Sequence, residues 1–328
     1  MREWTFAQGF ALLALNAQDS LHMTTAKKIA VRCMAAAAIL EWELDQGNLQ
    51  GPFSTISEED VENLAAVPHQ QEVLRELLKR KEGLQTALPE RLKQVIHFSN
   101  RTLKRIESSF ADPLKGMDLL EEIPNLLGCD MNYVTASVTM REYRSNEEAY
   151  TRITEGLRAE ILEDGEMTDE TILMLWLLRE SSCLYDFFSK EELKRVAQRM
   201  TQLYQTNAMA RAILAIDIHR APEIAVKNFL RGKKETFSTP IGTGVDFVFP
   251  FLERSQSIFI ETEAWFENKE QRLQDVEARL AQYGHHYTVL RQGAVPLIRI
   301  DNVLYEAVPT AVQMKVPVQG MRLRKYPL

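Results

Sequence analysis

Cysteine is scarce and scattered. Cys33, Cys129 and Cys183 are the only three in 328 residues, and none belongs to a CxxC pair. That number and spacing exclude a disulfide framework, tell against a zinc site, and fit a reducing, cytoplasmic setting. A basic excess is also missing. The net charge of -7 opposes bulk nucleic-acid binding, which needs a cationic footprint to displace counterions from phosphates. No apolar run approaches the ~20 residues that cross a bilayer. The N-terminal run, Phe10 to Leu15, is short and lacks a cleavage site, so neither a signal peptide nor a membrane span is read. Solenoid repeats and low-complexity tracts are absent. So is any catalytic signature: no catalytic residue, metal-ligand set or cofactor is assigned.

What is present is a large apolar inventory. Apolar content of 45% and charged content of 26% are ordinary for a globular chain, and this length suffices for two domains. The organising stretch is Thr168 to Met200. Thr168 with Asp169 and Glu170 marks a helix start, because acidic side chains suit the positive end of a helix. The apolar run Ile172 to Leu178 then continues without a break. A surface helix would interrupt such a run every second or third residue, so this one belongs inside. Ser189 with Glu192 forms a capping box that opens a second, amphipathic helix. Together the two predict a buried helical hairpin.

The rest of the chain reads around that hairpin. Residues 4–15 predict a short buried helix. Thr24 or Thr25 caps an alanine-rich packing helix that Gly47 stops. A turn is expected over 48–55, and Ser57 with Asp60 starts another helix. From Gln70 to Ile106 charges are dense, with Gly83 and Pro89 dividing short helices. Asp112–Pro124 reads as helix and Val134–Glu142 as strand. Ser145 with Glu148 suggests a further capping box, its helix ending at Gly165. After the amphipathic helix from Arg220 to Leu230 the composition changes. A polar connector leads into β signals: VDFVFPF, SIFIETE, HYTVLRQ, PLIRID and VLYEAV. One helix, about 264–283, lies between the second and third. The expected fold class is a mainly α N-terminal domain, residues 1–232, followed by a small α+β domain of order β-β-α-β-β, residues 233–328. Asp301-Asn302 is the expected hairpin turn.

Three segments, LLALNAQDS (12–20), CMAAAAILEWEL (33–44) and the stretch from Glu147 to Met200, resemble the Golgi phosphoprotein 3 family. The resemblance covers about residues 4–230 and carries no invariant catalytic motif. It implies a mainly helical, non-catalytic module that binds phosphatidylinositol 4-phosphate at a membrane. Such proteins use a tryptophan, an arginine in the small-residue helix, and two later basic residues. Aligned on Cys33-Met34, the tryptophan position falls at His22 and the arginine position at Val31, beside Arg32. The later pair falls near Asp112 and Leu114, beside Lys115. The family's membrane-touching hairpin corresponds to 126–139, where Leu126, Leu127, Met131, Tyr133 and Val134 supply apolar surface.

The dense charges add Arg101, Lys104 and Arg105 as cations able to meet an anionic surface. Interleaved Glu76, Glu82, Glu90 and Glu107 make a solvated helix face the weightier reading. The lipid-binding set expected is thus His22, Arg32, Arg101, Lys104, Arg105 and Lys115. The expected partner is an anionic membrane lipid or another protein, on a cytoplasmic chain that associates with membranes peripherally. The competing reading is an enzyme with a site where the domains meet, involving His22, Arg32, His219, Glu261 or Glu263. His285-His286 with Asp301 suggests a metal or acid–base cluster, but adjacent residues on a strand point to opposite faces, which favours a structural role. Asp217 and His219 are likewise read as structural, and Cys183 as inert core.

Overall fold

The computed structural model describes residues 4–47, 56–79, 87–131, 140–232, 238–239, 242–243, 257–263, 268–312 and 317–326. Its N-terminal part is helical: α1 (Phe6–Leu15), α2 (Thr25–Asp45), α3 (Glu58–Asn63), α4 (Pro68–Leu78), α5 (Leu88–Lys93) and α6 (Asn100–Gly116). A two-stranded antiparallel ladder of β1 (Leu120–Pro124) and β2 (Arg141–Ser145) follows. Helices resume as α7 (Glu147–Leu162), α8 (Asp169–Ser181), α9 (Leu184–Phe187), α10 (Lys190–Thr206), α11 (Ala208–Leu214) and α12 (Ala221–Gly232). The expected fold class is correct.

The centre of the helical part is α2. Thr24 caps it by accepting from the Lys27 N–H at 3.1 Å, and Gly47, at φ +67°, lets the chain turn away beyond it. α1, α4, α6, α8 and α12 all pack on this one helix. Ala35 to Ala38 are fully buried, and their small side chains permit that close approach. The expected interior helix is α8, with every residue from Thr171 to Leu178 buried. Thr168 and Ser189 cap α8 and α10 as their sequences predict.

Helix α2 also carries charge into the core, and a different neighbour answers each charge. Lys27 meets Glu107 of α6 at 2.6 Å, Arg32 meets Glu223 of α12 at 3.1 Å, and Glu41 meets His69 of α4 at 2.8 Å. Glu43 pairs with Arg91 of α5. Burial pushes the Glu43 carboxyl above its ordinary value despite Arg91, so the pair stands in a poorly solvated place.

Several sequence expectations are corrected. Asp112–Pro124 is not one helix: α6 ends at Gly116, Asp118 takes φ +57°, and 120–124 pairs as β1. Pro124 therefore sits at a strand end, where its missing N–H does no harm. The cap of α7 is Asn146, which accepts from the Ala149 N–H, because the Ser145 hydroxyl is already donating to Leu12 O at 2.7 Å. That helix stops at Leu162, before Gly165. Of the strand expected over 134–142, residues 134–139 lie outside the described residues, as do 48–55, Gly83 and VDFVFPF; the described strand is 141–145.

The C-terminal part is a five-stranded antiparallel sheet in the order β5-β9-β8-β7-β6, from β5 (Ile258–Glu261), β6 (Tyr287–Arg291), β7 (Leu297–Ile300), β8 (Val303–Val312) and β9 (Val318–Lys325). Between the helical part and this sheet, β3 (Ser238–Thr239) pairs with β4 (Gly242–Thr243). Helix α13 (Lys269–Gln282) supplies Val276 and Leu280 to a core with Ile258, Ile260, Ile298, Ile300, Met321 and Leu323. Strand β9 was not anticipated, because Gly320 and its arginines interrupt the apolar signal. Asp301 and Asn302, at φ 45° and 70°, form the expected turn between β7 and β8. One finding alters the reading of 126–139: Leu126, Leu127 and Cys129 are buried in the sheet's own core. Leu126 and Leu127 therefore do not offer apolar surface to a membrane.

Candidate functional site

The carbonyls of the turn between α5 and α6 are held by two arginines. Arg32, almost wholly buried on α2, donates from Nη1 to Val95 O at 2.6 Å and to Ile96 O at 2.5 Å, while its Nε faces Glu223. Arg220, exposed just before α12, donates from Nε to Ile96 O at 2.9 Å. Burial lowers the Arg32 pKa from its ordinary value, opposed by Glu223, with Arg220 adding to the lowering; a guanidinium nevertheless keeps its charge.

Exposed cations flank that turn in the chain and make up the candidate cationic face. Lys93 ends α5, and Arg101 and Lys104 stand three residues apart on α6, a spacing that puts them on one side of the helix. All three are exposed, as is Arg220. Among the described residues no side chain of the four forms an ion pair, although the charge of Lys104 reaches the Glu107 carboxyl and the Arg220 backbone N–H donates to Glu223 at 3.0 Å. Some other surface cations are answered by carboxylates, Arg105 by Glu72 and Glu76, Lys115 by Glu122 and Arg158 by Glu192, while Arg195, Arg199 and Arg211 donate to backbone carbonyls instead.

The six residues expected at a lipid site therefore divide. Arg101 and Lys104 belong to the face, and Arg32 supports it from beneath without reaching solvent. Arg105 is neutralised. His22, hydrogen-bonded to Asp19 at 3.0 Å, and Lys115 lie elsewhere. Lys115 is fourteen residues beyond Arg101 on the same helix, about 21 Å at the usual rise. Sequence reasoning missed Lys93 and Arg220. Arg220 is more than a hundred residues from the turn it holds, and only its place before Pro222 at a helix start marked the position.

The place where the two parts meet holds a cleft of about 400 Å³. Tyr150, Phe187 and Tyr326 line it, and four of its charged groups pair within it, Arg158 with Glu192 and Lys325 with Asp186, while Arg299 pairs with Glu147 outside it. None of His22, Arg32, His219, Glu261 or Glu263 lies in it. Beside it, β2 is tied to the sheet by Arg144, which donates to Asp301 Oδ1 at 2.8 Å and to Gly284 O at 3.1 Å. His285 Nδ1 meets Asp301 Oδ2 at 2.6 Å, whereas the adjacent His286 is exposed, so the two rings face opposite ways. All three cysteines are buried as free thiols, and burial raises Cys33 well above the ordinary thiol range. Among the described residues no helix is long and apolar enough to cross a membrane. Comparison of the chain with known protein families and with curated proteins found no match.

Proposed function

We propose that this chain is a non-catalytic binding module that docks peripherally on an anionic membrane surface through Lys93, Arg101, Lys104 and Arg220. The observation that carries this reading is a set of four exposed cations whose side chains form no ion pair, three flanking one turn and Arg220 bonded to that turn, on a chain of net charge -7. A local cationic patch on an acidic protein orients it at an anionic surface while the remainder is repelled. The resemblance of residues 4–230 to the Golgi phosphoprotein 3 family agrees in kind, although the cations differ from those the alignment pointed to.

The attachment is weak. At roughly 1 kcal/mol per cation near an anionic leaflet, four give about 4 kcal/mol, equivalent to a millimolar affinity, before salt screens it. The test is co-sedimentation with liposomes, with and without anionic lipid, at low and high salt. Binding should require anionic lipid, fall with salt and be abolished by Arg101→Glu with Lys104→Glu. Absence of binding to any anionic liposome at low salt would refute the membrane reading and leave an acidic protein as the partner.

A further inference from the structure

A groove of about 520 Å³ opens between α1, α7 and α8, and it shares no lining residue with the cleft between the two parts. Trp4, Phe6, Ile153 and Leu157, all partly buried against the main core, and the buried Met174 give it apolar walls. Trp4 is seated by its neighbours. A Cβ at Gly9 would come within 3.2 Å of its ring, and the Arg152 guanidinium stands 4.3 Å from the ring centroid. Gly9 therefore has a packing reason, whereas Gly156 has none. Gly156 lies in the interior of α7, lines the groove and is exposed, and a Cβ added there would meet nothing within 4 Å. Glycine inside a helix is destabilising relative to alanine, because it loses more backbone freedom on folding. The chain carries that cost while leaving the space empty of its own side chains.

The groove's charge is negative. Glu160 and Glu170 line it, against the single guanidinium of Arg152. Glu160 is held in place by the Thr168 N–H at 2.6 Å and the Thr171 hydroxyl at 2.7 Å. Six of the eleven residues from Glu160 to Glu170 are acidic and none is basic. Arg195 and Arg199 of α10 reach this segment through the carbonyls of Leu162 and Gly165 rather than through its carboxylates. We propose that the groove binds a small amphiphilic cation, an alkyl or aryl body carrying one ammonium group. The body lies against Trp4, Leu157 and Met174 in the space left by Gly156, and the ammonium faces Glu160 and Glu170. Apolar walls with a few charged groups of one sign are the usual make-up of a small-molecule site, and the volume falls in the range of such sites. An anion of the same shape would meet two carboxylates, and a cation without an apolar body would leave the walls uncovered.

The groove shares no residue with the cationic face, and its test needs no membrane, so its failure would not touch the membrane reading. The full chain is titrated by calorimetry with octylammonium, octanoate and spermidine, below the concentrations at which the first two form micelles. Octylammonium should bind saturably and roughly 10-fold more tightly than either of the others, the usual scale of one hydrogen bond to a charged group. Octanoate shares its apolar body and spermidine its charge. No binding of octylammonium, or equal affinity for either comparison, would overturn the assignment. Gly156→Leu puts a good helix former into the open space, so it should raise the melting temperature and abolish octylammonium binding. Unchanged binding in that variant would remove the ligand from the groove, and a lowered melting temperature would show that the space is not open. Glu170→Gln should narrow the preference for octylammonium over octanoate; an unchanged ratio of the two affinities would overturn the placing of the ammonium.

Discussion

The helical part and the sheet solve the same problem, choosing one neighbour over another, with different means. In the helical part α2 is buried on nearly every side, so an apolar stripe cannot say which helix belongs on which face. Buried charges do so: Lys27, Arg32, Glu41 and Glu43 each have a partner on a different helix. The sheet relies more on apolar burial: alternation marks the inner face in β7, where Ile298 and Ile300 are buried between half-exposed neighbours, while β5 is buried on both faces. Its apolar cluster of Ile258, Ile260, Val276, Leu280, Ile298, Ile300, Met321 and Leu323 is larger than its set of buried charges, which are Arg272, Glu306 and the His285–Asp301 pair. Buried ion pairs contribute little net stability and leave a large penalty when one partner goes, so they serve as addresses more than as adhesive.

Breaking an address gives the largest effect. Arg91→Met leaves Glu43 buried and unpaired and should cost about 3 to 5 kcal/mol, read from urea unfolding. Adding Glu43→Leu should restore most of that loss; a double variant as unstable as the single would mean the pair is adhesive after all. Leu175→Ala in the fully buried centre of α8 should cost about 2 to 5 kcal/mol. A loss under ~0.5 kcal/mol, typical of surface sites, would remove α8 from the core. In the sheet the sharpest test is Gly320→Ala, where an added Cβ would lie 2.4 Å from Ile260 O and 2.5 Å from the Phe259 ring. Such overpacking should cost about 1 to 3 kcal/mol and lower the melting of the sheet, monitored by near-ultraviolet dichroism. An unchanged melt would show that β5 and β9 have room to separate.

The smallest effect concerns the bond between the two parts. Burial alone would raise the Asp301 carboxyl, but the hydrogen bond and charge of His285, with Arg144, outweigh it and hold the group below its ordinary value. A depressed carboxylate contributes stability that is complete above its unfolded pKa of about 3.9 and is lost as pH falls through the lower folded value. Melting should therefore fall between pH 4 and pH 3 in the natural chain. Asp301→Asn should flatten that limb, and equal acid sensitivity in both proteins would place the effect elsewhere.

Local signals accounted for most of the fold. The caps at Thr24, Ser57, Thr168 and Ser189, the unbroken run in α8 and the Asp301-Asn302 turn are all short-range, and each was legible. The errors share a cause: Leu126, Leu127, Ser145 and the 120–124 segment are decided by contacts with distant chain. Ser145 looks like a cap until Leu12 takes its hydroxyl. The cationic face was half legible for the same reason. Arg101 and Lys104 declare themselves by helical spacing, whereas Arg220 joins them only after folding, and Arg32 is withdrawn from them by Glu223.

The turn between β7 and β8 has a consequence for how this chain can drift over time. Judged as a hairpin, Asn-Gly or Asp-Gly would suit two successive left-handed positions better than Asp-Asn. Yet the Asn302 amide donates to Asn16 Oδ1 and Ser145 O, while the Asp301 carboxylate takes Arg144 and His285. The dipeptide is spelled for its neighbours, and a glycine at 302 would improve the hairpin while untying the helical part. Positions 16, 144, 145, 301 and 302 thus form one inherited word. Among relatives of this chain they should change together or stay unchanged, and an exchange of C-terminal sheets between relatives should succeed only when all five travel with it.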